Sequence, residues 1–152
     1  MSNQAESVES GAVARRFLEA ASVGDLATLT ALLAEDATWT VPSGFGERVA
    51  ALAACEAPDA GVTRGREAIV NGFLVPVQML FEPGSQRMHI DHVVADGERA
   101  VALFHADGTV AGGASYHNDF AVAFHVQNGR IASVREYLDT LHAIEAFSGS
   151  TA

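Results

Sequence analysis

Basic side chains are scarce in this chain. Nine Lys and Arg stand against nineteen Asp and Glu over 152 residues, a formal net charge of −10. A field of that sign repels phosphate backbones and anionic lipid, and no basic cluster offsets it, so nucleic acid and membrane surfaces are excluded as expected partners. Cysteine is almost absent. The single Cys55 excludes an intrachain disulfide and a cysteine metal site. No apolar run reaches membrane-spanning length. The opening MSNQAESVES is polar and acidic, unlike the basic start and apolar middle of a signal peptide, so a reduced, cytoplasmic setting is expected. Motifs of the HExxH, phosphate-loop and dinucleotide-fingerprint kinds are all missing.

What remains is rich in apolar residues, 49% of the chain, with only 18% charged, so one domain with a real core is expected. Residues 1–9 read as a flexible N-terminus, 10–147 as the single domain and 148–152 as a flexible C-terminus. From Ser10 the residues Val13, Phe17, Ala20 and Ala21 recur at helical spacing, Gly24 reads as a stop, and Asp25 as the N-cap of a helix carrying Leu26, Leu29, Leu32 and Leu33. Thr38 to Val41 read as a short strand ended by Pro42 and Gly44. An insertion over 43–63 holds a turn or two of helix near Arg48 to Glu56. A helix from Arg66 to about Leu80 should kink or break at Pro76.

Strand patterns then follow one another. Met88, Ile90, His92 and Val94 alternate with His89, Asp91 and Val93, and Val101, Leu103 and His105 with Ala102, Phe104 and Ala106. Two further strands meet at Asn128-Gly129, a pair suited to a tight hairpin because both residues tolerate positive φ. The second of these, Ile131 to Leu138, puts Glu136 on the face of Val134 and Leu138, and Asp139-Thr140 caps a last helix. Helices segregated from a run of strands imply an α+β fold, a curved antiparallel sheet with helices on one face.

The Gly24-Asp25 segment, EDATW at 35–39, RGREAI at 64–69 and NGRIASVREYLDT at 128–140 together resemble the SnoaL-like proteins of the nuclear transport factor 2 and ketosteroid isomerase-like superfamily, from about Val13 to Ala143. That resemblance implies a conical, strongly curved antiparallel sheet covered on its concave face by helices, an apolar pocket and a homodimer. It also limits the chemistry. Ketosteroid isomerases need a tyrosine where Phe17 stands and an acid near Val41, so that activity is rejected. Limonene-type epoxide hydrolases keep a water-activating carboxylate where Glu136 stands. Their paired arginine and acid fall at Leu103 and His105, and their water-holding tyrosine and asparagine near Trp39 and Val41, so this reading is weakened.

With such a pocket, strand periodicity offers Leu103, His105 and Asp107 from one strand, Tyr116, Asn118 and Phe120 from the next, and Val134, Glu136 and Leu138 from the last. If all three sets face inward, an apolar cup with sparse polar groups results, the composition of a small-molecule site. Glu136 and His105 are the candidate catalytic pair, base and acid. Trp39, Asn118, Tyr116, Phe120, Asp107, Leu103 and Phe17 are the candidate substrate-binding residues, with Asn118 or Tyr116 as donor to an oxyanion. The pairing requires His105 and Glu136 to share a face. His117, Asp119 and His125 fall on the face opposite Asn118, which suits packing of a second subunit. No metal and no cofactor are expected. The expected function is acid–base catalysis on a hydrophobic small molecule, as an isomerase, cyclase, dehydratase or epoxide hydrolase. The alternative is a non-catalytic ligand-binding or dimerisation module. Whether 43–63 forms a lid is left open.

Overall fold

The computed structural model describes residues 2–149. Helix α1 spans Asn3–Val23, with the Ser2 hydroxyl accepting from the Ala5 N–H as its N-cap. It therefore includes most of the stretch expected to be flexible. Its first turns are tied down: Ser7 Oγ accepts from Gly97 N at 2.8 Å and Ser10 Oγ donates to Gly97 O at 2.8 Å, fastening the helix to the turn between β3 and β4, defined below. Gly24, at φ +70°, ends α1 with its N–H on Ala20 and Ala21 carbonyls, a left-handed cap that favours glycine. Asp25 caps α2 (Leu26–Leu32) by accepting from Thr28 N. Both terminators are those the sequence predicts.

Strand β1 (Leu33–Thr40) follows directly and is longer than expected. In the 43–63 insertion, α3 occupies Ser43–Leu52, earlier than the Arg48–Glu56 expectation, and β2 is Val62–Arg64. The expected helix from Arg66 is interrupted, the break rather than the kink of the two outcomes expected at Pro76. Helix α4 (Arg66–Ile69) passes into a π-helical turn (Val70–Leu74) and then α5 (Val75–Gln78). Pro76 has no N–H to give a regular ladder, and the wide turn just before it, closed by Val75 N–H on Val70 O, absorbs the irregularity.

The remaining strands are β3 (Arg87–Asp96), β4 (Arg99–Thr109), β5 (Ser115–Gln127) and β6 (Arg130–Leu138), before α6 (Thr140–Ser148). Of the expected flexible C-terminus, Ser148 lies in α6, while residues 150–152 fall outside the described residues. The β5–β6 turn has positive φ at both Asn128 and Gly129, as the hairpin reading requires. Asp139 caps α6 by accepting from His142 N.

The six strands form one open, curved sheet in the order β2-β1-β6-β5-β4-β3. Every neighbouring pair is antiparallel except β1 and β6, which run parallel because β6 returns to β1 only after the rest of the sheet is built. The curved antiparallel sheet expected from the sequence is observed, with this one parallel pair within it. Helix α1 lies across β3, β4 and β5 on the inner face. Small inward residues, Ala100 and Ala102 on β4, admit it, and Phe17 packs on Phe124 and Trp39 at ring separations of 5.9 and 5.8 Å.

Bulges set which residues look inward. One at Asp91 breaks the alternation in β3, so Met88 and Ile90 face the core but His92 and Val94 do not; Val93 and Ala95 take over. A second, where β6 leaves the turn, brings Ile131 and Val134 both inside.

Candidate active site

Between the inner sheet face and the helices lies a cavity of about 150 Å³. Its wall is almost wholly apolar: Phe17 from α1, Phe45 and Val49 from α3, Phe73 from the π-helical turn, and the stacked Phe104 and Phe120 from β4 and β5. The insertion thus supplies part of the wall. Polar groups are few, namely Trp39, Gln78, Gln86, Tyr116 and Glu136.

Among the described residues Glu136 is the only carboxylate on that wall. Strand β6 aims it inward because Val134 and Leu138, two residues away on either side, belong to the same face. Neighbouring Arg135 points out and is exposed, so the nearest guanidinium in sequence is on the wrong side to pair with it. Among the described residues no cationic side chain forms an ion pair with Glu136. Its one hydrogen bond there comes from Trp39, whose Nε1–H donates to Oε2 at 3.0 Å. Loss of water raises the carboxyl from 4.5 to about 7, and the indole donor lowers it only in part. The side chain is half-buried and belongs to the cavity wall.

Tyr116 is the other ionisable group on the wall, pushed up to about 12 by burial, with the Asn118 hydrogen bond opposing and the charges of Glu136 and Asp139 adding. Asn118 Nδ2 donates to its hydroxyl oxygen at 2.8 Å, so the phenol keeps its own hydrogen to donate. Ring contacts with Phe81, Phe147 and His142 fix the tyrosine's plane. Asn118 itself is fully committed: besides Tyr116 it donates to Asp139 O and accepts from Asp139 N. Its side chain is not on the cavity wall, and it positions Tyr116 and the start of α6 instead of meeting a ligand.

Phe17, Trp39, Tyr116, Phe120 and Glu136 are therefore brought together around one space. Leu103, His105 and Asp107 are not. On β4 the inward residues are Ala100, Ala102, Phe104 and Ala106, and the three sequence-derived candidates occupy the opposite parity. The His105–Glu136 pairing fails for that reason. The cross-strand register carried the needed signal, since Phe104 pairs with Phe120 and Ala106 with Asn118, and opposed residues share a face. Periodicity alone could not choose, because both parities of β4 contain apolar side chains. The Trp39–Glu136 hydrogen bond, Gln78, Gln86 and the α3 wall were also missed. Trp39 and Glu136 lie 97 residues apart in sequence and meet only through the parallel β1–β6 pairing.

A family model described as a SnoaL-like domain matches residues 14–134. Among solved structures, an NTF2-like protein of unknown function from Burkholderia pseudomallei K96243 is 24% identical, with a TM-score of 0.76 over 92% of this chain and 98% of that one. An NTF2-like protein from Burkholderia xenovorans LB400 is 28% identical, with a TM-score of 0.64 over 97% and 98%. TerC, co-crystallised with polyporic acid, is 18% identical, with a TM-score of 0.76 over 92% and 98%. No curated protein matches the sequence.

Proposed function

The chain belongs to the SnoaL-like domain family, and from that premise we propose that it is an acid–base enzyme acting on a hydrophobic small molecule through Glu136. The observation that carries this reading is the lone carboxylate on an apolar wall, without a cationic partner and held by one indole donor. A group titrating at about 7 is divided between base and acid at neutral pH, the condition under which proton transfer in either direction is most effective. Such a site suits an enolisable carbonyl compound. The C–H bond breaks, its proton passes to a Glu136 oxygen, and its electron pair moves into the enolate. Tyr116 O–H donates to the developing oxyanion. Glu136 then returns the proton in one of three ways: to another carbon of the enolate, to the alkoxide formed when the enolate carbon bonds to a second carbonyl, or to the β-hydroxyl group as its C–O bond breaks and water leaves. Water attack on an epoxide uses the same residue: Glu136 takes the water's proton as the new C–O bond forms and the ring C–O bond breaks, and returns it to the alkoxide oxygen released. The chain contains no lysine, so a lysine Schiff base is excluded as a route to the enolate.

The cavity matches in size a known ~150 Å³ apolar site that accepts benzene, so the reacting portion of the substrate is about one ring in size. The direct test is turnover, followed by mass spectrometry, of a panel of cyclic enones, β-hydroxy ketones and hydrophobic epoxides by wild type and Glu136→Gln. Conversion by the first and not the second supports the proposal; equal conversion overturns it. A second reading is a ligand carrier. It is favoured by the nearly uniform apolar wall and by a relative of the same fold crystallised with an organic ligand. Tight binding of a panel member that neither protein converts supports it.

The proposal extends to a homodimer in which a second copy covers the apolar end of the outer sheet face, where Val94, Val101, Leu103 and Tyr137 are exposed. A fall from dimer to monomer mass in light scattering on Leu103→Lys supports that point, and a monomeric wild type overturns it. No helix of the described residues is long and apolar enough to cross a membrane. A cytoplasmic setting belongs to the same proposal and rests on the near absence of cysteine.

A further inference from the structure

The outer face of the sheet, opposite the cavity, gathers side chains of a different kind. His89 on β3, His105 and Asp107 on β4, and His117 on β5 sit in two adjacent same-face rows of cross-strand neighbours: His89 is opposite His105, which is opposite Asp119, and Asp107 lies between Arg87 and His117. His105 and Asp107, two residues apart on one strand, share a face by the pleat, and the adjoining strand brings His89 beside them. One ligand-type atom from each of His89, His105 and Asp107 lies within 4.8 Å of the others. Nε2 of His89 is already 3.2 Å from Oδ2 of Asp107.

We propose that His89, His105 and Asp107 form a binding site for a zinc-class divalent ion, separate from the cavity and lying across the edge strand β3 and its neighbour. Around a tetrahedral zinc with bonds of ~2.0–2.1 Å, ligand atoms stand about 3.3 Å apart, so the observed spacing needs only an ångström-scale adjustment of accessible side chains on a rigid strand frame. Two imidazoles and one carboxylate are a set that selects zinc and its neighbours over magnesium and calcium, which favour oxygen alone. Three protein ligands leave the fourth position to water.

The surroundings also have the form of an orienting outer shell. Asp91 Oδ2 lies 3.5 Å from Nδ1 of His105, which leaves Nε2 of that ring to face the ion. His117 Nδ1 lies 2.6 Å from Oδ1 of Asp107, which leaves Oδ2 as the ligand oxygen. His89 and His105 stack with ring centroids 4.8 Å apart, holding both imidazoles side by side. The net charge of −10 draws cations to the molecule.

The test is titration of the purified, chelator-treated protein with zinc chloride by calorimetry, with cobalt(II) as a spectroscopic reporter of coordination. Wild type should take up one zinc per chain, its cobalt form should show the intense visible absorption of a tetrahedral site, and magnesium should not compete. His105→Ala and His89→Ala should each weaken zinc binding at least tenfold, a loss of the size seen when shells around metals are disturbed. His125→Ala, which removes a histidine bound to Glu98 elsewhere on β5, should bind as wild type does. Melting curves in chelator establish that each variant folds. No saturable uptake by wild type, a stoichiometry other than one, or equal losses in His125→Ala and His105→Ala would overturn the site and leave the cluster as histidine–aspartate ion pairs.

Discussion

Glu136 on the inner face of β6 and Asp107 on the outer face of β4 are carboxylates two strands apart on one sheet, and their surroundings drive them in opposite directions. Asp107 is held below its ordinary value, first by the hydrogen bond from His117 and then by the charges of His117, His89 and His105. Among the described residues Glu136 meets an indole N–H and no cation, and loss of water raises it to about 7. The difference shows that composition does not mark the perturbed carboxylate here. By counting polar neighbours, the outer row would be the richer site. What distinguishes Glu136 is the cost of its charge in an apolar wall, and that cost depends on the pleat directing one residue inward and its neighbour outward.

The sharpest way to break this comparison is Glu136→Gln. The amide oxygen still accepts from Trp39, so the wall is retained while the proton acceptor is lost. Turnover should fall by about 10²–10⁴, the usual contribution of general acid–base catalysis. Wild-type kcat/KM should rise with pH through about 7 if Glu136 acts as a base. Rate measurements between pH 5 and 9 check both points.

Phe120→Ala removes one half of the Phe104–Phe120 stack from the cavity wall, with ring centroids at 4.8 Å. The ring is only partly buried, so the expected loss is about 3 kcal/mol, at the lower end for a core phenylalanine. Ligand affinity should fall with it. Urea unfolding and ligand titration read the two effects separately.

Stability against pH sharpens the contrast further. The folded state holds the Glu136 proton more tightly than the unfolded chain does, since its value rises from 4.5 to about 7. The resulting stabilisation is full below 4.5 and is lost as pH rises through about 7. At ~1.4 kcal/mol per pH over that window, the loss approaches about 3 kcal/mol. Glu136→Gln should lack this slope and be the more stable protein at pH 8, as urea unfolding at pH 5 and pH 8 would reveal. Asp107 contributes in the opposite sense: its value is lowered, so its stabilisation is present at higher pH and fades as pH falls through the carboxylate range.

Trp39→Phe tests the indole's part. It keeps an aromatic wall but removes the donor to Glu136, worth ~1.5–3 kcal/mol when the acceptor is charged. The kinetic inflection should move upward from about 7, and the variant should lose stability mainly above that pH, where the carboxylate is ionised. An unmoved inflection would mean that the indole only fills space.

Much of this architecture was legible because its signals were local. Gly24, Asp25, Asn128-Gly129 and Asp139 each announce a terminator or turn through their own backbone and side-chain chemistry, and each performs it. Glu136 was legible for the same reason, since Val134 and Leu138 flank it with the right period. His105 was misplaced because facing is a property of paired strands: Val101 and Leu103 make the outward parity of β4 look as apolar as the inward one. The bulge at Asp91 escaped notice because one extra residue leaves no compositional mark. The flexible reading of residues 1–9 missed that Ser7 and Ser10 find partners near residue 97, far along the chain.

The smallest effect is expected next door to Phe120. Asp119 alternates with it on β5 and points to the opposite face, with its side chain 88% exposed and its only ion-pair contact a 3.6 Å approach to His117. Exposed pairs of that length contribute little, because water screens the charges and two mobile side chains must be held together. Asp119→Ala should therefore alter stability by less than ~0.5 kcal/mol and leave turnover and ligand affinity at wild-type values. Measured beside Phe120→Ala, it isolates the pleat: the two sites are consecutive and their backbones belong to one strand. A substantial loss of turnover in Asp119→Ala would show that the outer face communicates with the cavity through the sheet, and the separation of the two faces would have to be abandoned.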